Sequence, residues 1–267
     1  MKVAILSNNY SNNDLPTEHG LSIYVEFNGK KILVDTGLSG MFMNNAQRLG
    51  IDLSEVDYVF LTHRHFDHVD GMQYLHFNGQ RVFVHKNLFN NEYYKLTANG
   101  YEFYGVKWNK DNLKGNYTFI YNDTFVQIDK GIYLSGSIPR PHGTLKSLFY
   151  EKVNDTLIPD IIDDEQVMIF EQDDGVIVIA GCTHFGIQNL TSLIKDKFPD
   201  KKVKALFAGL HINMPCGANE SEVISHIAES CLYEKVYALH CTGERAGKMI
   251  EEKLSGKHAF VGEVFDF

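Results

Sequence analysis

The chain has 267 residues, with 25 Lys and Arg against 34 Asp and Glu, a formal net charge of −9 with histidine neutral. That balance argues against nucleic acid or an anionic membrane surface as partner, and 44% hydrophobic with 22% charged residues excludes a disordered or collagen-like chain. The longest apolar run, residues 176–180, falls far short of the roughly 18 residues of a membrane helix. There is no cleavable signal pattern and no C-x-x-C pair among the four cysteines, so a reduced, cytoplasmic protein is expected.

Residues 1–6 read as a first strand, cut off by Ser7, Asn8 and Asn9. The runs 21–27 and 31–34 flank Asn28-Gly29, the strongest short hairpin signal, so the chain opens as an antiparallel meander. A helix follows over about 40–49, with Phe42, Ala46 and Leu49 at helical spacing and Gly50 as its stop. A buried strand over 58–61 leads directly into Thr62-His63-Arg64-His65-Phe66-Asp67-His68, and a short strand over 82–84 ends at His85. From about 89 to 118 the chain is rich in Tyr, Asn, Lys and Gly, carries the only tryptophan, Trp108, and shows neither a helical nor a strand period. An insertion or lid over a site is expected there. Strand patterns return at 124–128, 132–135 and 146–150, before an acidic stretch whose run 160–165 reads as a solvated loop.

From Val167 the order is strand, Asp173-Asp174-Gly175 turn, strand 176–180, then Gly181-Cys182-Thr183-His184 and a helix over 187–197. The unit repeats in outline: strand 203–208 leads to Gly209-Leu210-His211 and a helix over 221–231, and strand 235–239 leads to His240-Cys241-Thr242-Gly243 and a helix ending at Leu254. Strand-then-helix units after an antiparallel start predict an α/β layered fold with sheets inside and helices outside. No low-complexity linker interrupts the chain, so a single domain over 1–267 is expected.

The chemistry concentrates in the histidines. With twelve His in the chain, a fixed pattern of three His and one Asp arises by chance roughly once in a thousand such sequences. His63 and His65, two apart at a strand end, point to one side, and the turn through Asp67 and His68 brings a second pair of ligands beside them. Imidazole with carboxylate is the donor set of zinc and other borderline divalent cations. Four ligands do not close two sites, and strand ends are the rigid places for the rest. His184 and His240 stand at such ends, with Cys182 and Cys241 next to them as possible thiolate donors. His211 ends a third strand, and His19, His85 and His142 remain candidates.

H-x-H-x-D-H after an apolar strand, preceded by the turn Val34-Asp35-Thr36-Gly37, resembles the metallo-β-lactamase superfamily over most of the chain. The resemblance implies a four-layer αββα sandwich. It places His63 and His65 on one metal, Asp67 and His68 on the other, His184 completing the first and His240 the second, and Asp35 behind the histidine loop. The chain departs from common members in having no H-x-x-G-H segment between Ser135 and Tyr150, and Gly181-Cys182 where G-D is usual. The bridging carboxylate is therefore unassigned, and Cys182 is expected beside the metals. H-G-L-S at 19–22, I-P-R at 138–140, D-D-E-Q at 163–166, G-C-T-H-F-G at 181–186 and H-C-T-G at 240–243 are similar to one subgroup. That subgroup includes an archaeal dihydropterin (ribofuranosylaminobenzene phosphate) synthase and bacterial metal-dependent hydrolases, and the resemblance implies that the run 160–165 faces the site.

The expected function is a metal-dependent hydrolase in which two divalent metals, zinc foremost and manganese or iron as substitutes, activate water against a small anionic substrate, phosphorylated molecules included. Asp67, His211 and Arg140 are the expected catalytic residues, Arg140 as partner of a substrate anion. Two alternatives compete: a transferase joining a dihydropterin to an activated ribose phosphate, and a non-hydrolytic di-iron redox or metal-binding protein. A nuclease is disfavoured by the charge and by the lack of a Lys/Arg stripe.

Overall fold

The computed structural model describes residues 1–90, 92–212 and 217–267. The chain forms two compact units, one of Met1–Phe89, Val106–Asn122 and Ala259–Phe267, the other of Asn90–Gly105 and Asp123–His258.

The first unit is built on a seven-stranded sheet in the order Val264–Asp266, Lys2–Ser7, Ser22–Phe27, Lys30–Val34, Tyr58–Phe60, Phe77–His85 and Gly115–Asn122. Its opening meander is antiparallel because Asn28 and Gly29, at φ 49° and 75°, make the tight turn whose twist matches the flanking strands. Beyond Lys30–Val34 the pairings turn parallel, which requires crossovers, and the helix Met41–Arg48 occupies the first of them. Its buried face, Phe42, Asn45 and Ala46, packs with Leu6, Leu33, Val59 and Val82 in one apolar core. Each such side chain stabilises the fold by roughly 1.5–3 kcal/mol on burial. Asn45 belongs to that face because its Nδ2 donates to the Leu6 carbonyl at 2.8 Å.

The second unit holds two sheets. The larger runs Gly256–His258, Val236–Leu239, Val203–Gly209, Gly175–Ile179, Met168–Gln172, Ile132–Leu134 and Val126–Asp129. Its first four strands are parallel and connected through the helices Ile187–Lys197, Glu220–Ser230 and Glu244–Lys253. All five residues of Gly175–Ile179 are buried, which is why this strand reads as an unbroken apolar run rather than an alternating one. The smaller sheet, Thr156–Pro159, Phe149–Val153, Glu92–Thr97 and Gly100–Phe103, is wholly antiparallel.

The mixed α/β class read from the sequence holds, as does the order of its strands and helices. Three local readings are corrected. The strand expected at 82–84 extends over Phe77–His85; Phe77 is buried, but the polar residues 78–81 after it leave no apolar pattern. The strand expected at 146–150 is Phe149–Val153. The run 160–165 is not solvated: Asp160, Ile162, Asp164 and Glu165 are buried. The stretch 89–118 contains the hairpin Glu92–Thr97 and Gly100–Phe103 in one unit and the start of Gly115–Asn122 in the other. Gly100–Phe103 and Gly115–Asn122 are edge strands with few buried residues, and Glu92–Thr97 between its two neighbours is half-buried along most of its length, so none carries an alternating signature.

Candidate metal centre

In the first unit, the strand Tyr58–Phe60 delivers the histidine loop, and the turn after Lys30–Val34 backs it. Asp35 sits in the left-handed region at φ 54°, a conformation that Asp tolerates better than most side chains. Its N–H donates to the Phe60 carbonyl at 2.8 Å, and Thr36 N–H donates to the His68 carbonyl at 2.7 Å, so turn and loop are stitched together. Gly71 belongs to the same joint: a Cβ there would stand 1.9 Å from the Thr36 carbonyl oxygen. Gly20 leaves room in the same way, since a Cβ would lie 2.5 Å from the Asp67 carbonyl oxygen. Ser22 donates to the Asp35 carbonyl at 2.9 Å. These contacts give the H-G-L-S segment a structural task.

The Asp35 carboxylate, fully buried, fixes the loop's proton positions. It accepts from Thr62 N–H at 2.8 Å, from the Thr62 hydroxyl at 2.8 Å and from His68 Nδ1 at 2.7 Å. The Thr62 hydroxyl, having donated, accepts from His63 Nδ1 at 2.9 Å. Both rings thereby keep the lone pair on Nε2, the tautomer a metal ligand needs. His63 Nε2 lies 3.0 Å from His65 Nδ1. Two imidazole nitrogens on one tetrahedral zinc-class cation lie ~3.4 Å apart, so the pair fits a shared cation with a small adjustment. Asp67 Oδ2 is 3.1 Å from His19 Nε2, and the two make an acid–imidazole pair at the loop.

Asp70 closes the loop from behind. Burial pushes its carboxyl up to about 6, against the lowering effect of Lys107, whose N–H donates to it at 3.1 Å. Trp108 Nε1 donates to the Val69 carbonyl at 2.9 Å. Residues 106–108, inside the stretch expected as a lid, thus support the short helix Phe66–Val69.

In the second unit, three parallel neighbours, Gly175–Ile179, Val203–Gly209 and Val236–Leu239, run into turns carrying a non-glycine residue in the left-handed region: Thr183 at φ 49°, His211 at 44° and His240 at 43°. Such backbone costs on the order of 1–3 kcal/mol per residue and persists where its surroundings over-determine it. They do so here: Thr183 Oγ1 donates to the Gly209 carbonyl, Leu210 N–H to Thr242 Oγ1 and Gly209 N–H to the Gly181 carbonyl, all at 2.8–2.9 Å. His184, His211 and His240 are all buried, with the His184 and His211 ring centroids 4.2 Å apart and Phe149 edge-on to His184 at 5.7 Å.

Two buried groups next to these turns, Cys241 and Glu165, have shifted acidities. Burial would raise the Cys241 thiol, but hydrogen bonding with Cys182 and His211 and the nearby His211 and His240 rings outweigh it, holding the thiol well below its ordinary value. Glu165 goes the other way. Its oxygens accept from Cys182 N–H at 2.9 Å and Phe185 N–H at 3.3 Å, yet burial dominates these bonds and the Arg140 charge and pushes the carboxyl up to about 8. Sequence reasoning missed Glu165 as a site residue, although the D-D-E-Q segment that contains it was the available signal. Arg140, expected on a substrate anion, donates to the Ile162 carbonyl at 2.7 Å and lies among Glu165, Asp163, Asp160 and Asp164. His85 accepts from Asn87 N–H at 3.2 Å and His142 Nε2 pairs with Ser192 Oγ at 2.8 Å, roles that hold turns.

The chain carries the metallo-β-lactamase fold, and residues 15–80 match the family model described as the metallo-beta-lactamase superfamily. The relatives narrow the neighbourhood. A crystal structure titled Tm1679, a metal-dependent hydrolase of the beta-lactamase superfamily, superposes with a TM-score of 0.85 at 29% identity, covering 100% of this chain and 99% of that one. An uncharacterized protein of Methanocaldococcus jannaschii is 25% identical over 265 residues, 98% of each chain. From the same organism, 7,8-dihydropterin-6-methyl-4-(beta-D-ribofuranosyl)-aminobenzene-5'-phosphate synthase is 26% identical over 279 residues, 95% of this chain and 91% of that one. No helix among the described residues is long and apolar enough to cross a membrane.

Proposed function

We propose that the protein is a binuclear metal-dependent hydrolase acting on a small anionic substrate, phosphorylated molecules included. His63, His65, Asp67, His68, His184 and His240 are the proposed ligands of two divalent cations, zinc by donor type, with manganese or iron as substitutes. The observation that carries the reading is the buried relay from Asp35 through Thr62 to His63, and from Asp35 to His68, which presents unprotonated ring nitrogens at a loop holding four candidate donors. A relay of this kind has no structural purpose that an apolar turn would not serve better, because it buries a carboxylate and two imidazoles.

Two divalent cations supply, when bound, a water of lowered pKa and stabilisation of the negative charge that develops on an ester or phosphoryl oxygen. Asp35 holds the Nδ1 protons of His68 and, through Thr62, of His63 in place. Asp67, paired with His19 at 3.1 Å, keeps a carboxylate oxygen at the loop to orient a nucleophilic water's proton. Arg140 is the proposed anchor for substrate charge. A small molecule is the expected partner, and the thiols fit a reducing cytoplasm.

A second reading, a transferase joining a pterin to an activated ribose phosphate, is favoured by the synthase relative that covers 91% of its own length in the match. Elemental mass spectrometry on untagged wild type, His65→Ala and His240→Ala tests the centre. About two equivalents of metal in wild type, reduced in both variants, are expected. No metal after reconstitution would refute the enzyme. A screen of phosphoesters, lactones and pterin with ribosyl pyrophosphate then separates the two reactions: turnover that requires both co-substrates would replace the hydrolase by the transferase.

A further inference from the structure

The second unit contains a cleft that metal chemistry alone does not account for. It encloses about 280 Å³ of empty space, and its walls are Leu145, Leu148, Phe149, Ile161 and Ile162. Phe149 and Ile162 are buried, Leu145 and Leu148 are half-buried, and Ile161 is 48% exposed. Phe149 is held from one side by Tyr93, whose ring stacks on it at 5.6 Å and 11°. Aliphatic side chains left partly exposed around a concavity forgo burial that the apolar part of a ligand would supply.

The polar groups of the cleft stand at its two ends. His184 and His211 line it and are buried. His211 Nδ1 has no hydrogen-bond partner among the described residues, a condition that calls for a partner from outside the chain. At the outer end Lys146 is exposed and makes no hydrogen bond or ion pair among the described residues. Neighbouring cations are engaged. Lys95 Nζ stands 4.7 Å from the Tyr104 ring centroid and 5.7 Å from that of Phe149, and Lys152 pairs with Glu92 and Asp155. The carboxylates that flank Ile161 and Ile162 in sequence do not line the cleft; Asp160, Asp163 and Asp164 lie about Arg140 instead.

We infer that this cleft is a recognition subsite whose ligand is an amphipathic anion: an apolar body against Leu145, Leu148, Ile161 and Ile162, a polar atom hydrogen-bonded to His211 Nδ1 at the buried end, and an anionic end group on Lys146 at the outer one. Apolar walls with a few convergent polar groups suit a small molecule built in the same proportion. A sugar phosphate, polar along its whole length, would set its hydroxyls against walls that offer them no hydrogen bond. The inference rests on the hydrolase reading for the reacting group, which belongs at the His184 end, and narrows the substrate from small anions in general to those with an apolar body. Lys146 is then a specificity-determining residue, separate from Arg140, which does not line the cleft.

4-Phenylbutyrate and its uncharged counterpart 4-phenylbutanol are the probes, titrated into the full-length protein at low ionic strength and followed by ligand-observed NMR. The carboxylate is expected to bind about fivefold more tightly than the alcohol, the scale of an exposed ion pair. That preference is expected to vanish in Lys146→Gln and to invert in Lys146→Glu, substitutions at an exposed position that the fold tolerates. Ile161→Asn is expected to weaken both probes by about threefold and to leave the charge preference intact. A carboxylate preference that survives Lys146→Gln overturns the inference, because the anion then binds elsewhere, as it would on a metal. Unchanged affinity of both probes in Ile161→Asn, or no binding of either probe to wild type, also overturns it. Failure of the hydrolase reading shows differently: a protein that cleaves no ester yet keeps the Lys146-dependent preference retains the ligand site and loses only the reaction.

Discussion

Replacing Asp35 by Asn isolates the proton-positioning role of one carboxylate. The side chain keeps its shape, and Asn is as much at ease as Asp at φ 54°, so the backbone has no reason to move. What changes is one acceptor. Asp35 takes three hydrogen bonds, two from Thr62 and one from His68; an amide offers one oxygen and a donor where the second oxygen stood. If the NH2 faces Thr62 Oγ1 and His68, His68 Nδ1 meets a donor, or the ring changes tautomer and places its proton on Nε2. If the NH2 faces the Thr62 N–H, that buried donor is left unsatisfied. The first alternative removes a metal-ligating lone pair, and the second leaves a buried polar group unmatched at about 1–3 kcal/mol. Loss of a carboxylate that orients a ligating histidine weakens metal binding by about 10–100-fold, or ~1.4–2.7 kcal/mol. Urea unfolding of metal-free protein and competition with a chromophoric chelator measure the two effects. An Asp35→Asn protein with metal affinity within twofold of wild type and unchanged stability would refute the relay.

Glu165 predicts a pH dependence. Its carboxyl stands near 8 in the folded chain, above its ordinary 4.5, so the unfolded chain ionises first and stability is lost as pH rises from about 4.5 to 8, by on the order of 3–5 kcal/mol. Glu165→Gln should flatten that slope in urea melts of metal-free protein at pH 5 and pH 8; equal slopes would reject the burial argument. Gly71→Ala places a Cβ 1.9 Å from the Thr36 carbonyl oxygen and should destabilise by about 1–3 kcal/mol, read as a drop of the thermal midpoint of several degrees together with weakened metal binding. Arg140→Ala should reduce turnover of a charged substrate and spare an uncharged analogue; equal losses for both would show that the arginine serves the buried acidic run 160–165 instead.

The elements that were legible in the sequence are those buried on a regular period. The strand at 176–180, the helix at 187–197 and the Asn28-Gly29 hairpin were read almost to the residue, because continuous burial, helical spacing and turn chemistry each leave a local mark. The pieces that escaped lack such marks. Gly100–Phe103 is exposed along nearly its whole length, and the third sheet is recognised only when Tyr93 stacks on Phe149 across it, at 5.6 Å and 11°. The acidic run 160–165 was misread because four carboxylates in six residues argue for solvent, whereas here backbone N–H groups and Arg140 gather round them. At the site, the spacing of His63, His65, Asp67 and His68 was enough to suggest a metal. The role of Thr62 was not, since a threonine relay depends on a contact between residues 35 and 62 that no local pattern encodes.

The first unit's sheet begins with Val264–Asp266 against Lys2–Ser7. The residues that deliver the histidine loop are made early, but their sheet gains its outer strand only after the whole of 123–258 has been synthesised. On a ribosome working from the N-terminus, the second unit is therefore the first to have all its parts. Until residues 259–267 emerge, Lys2–Ser7 presents an unpaired apolar edge to the cell. Translational pausing or premature release in that interval would yield a chain with a finished thiol-bearing unit and an aggregation-prone, half-built histidine unit.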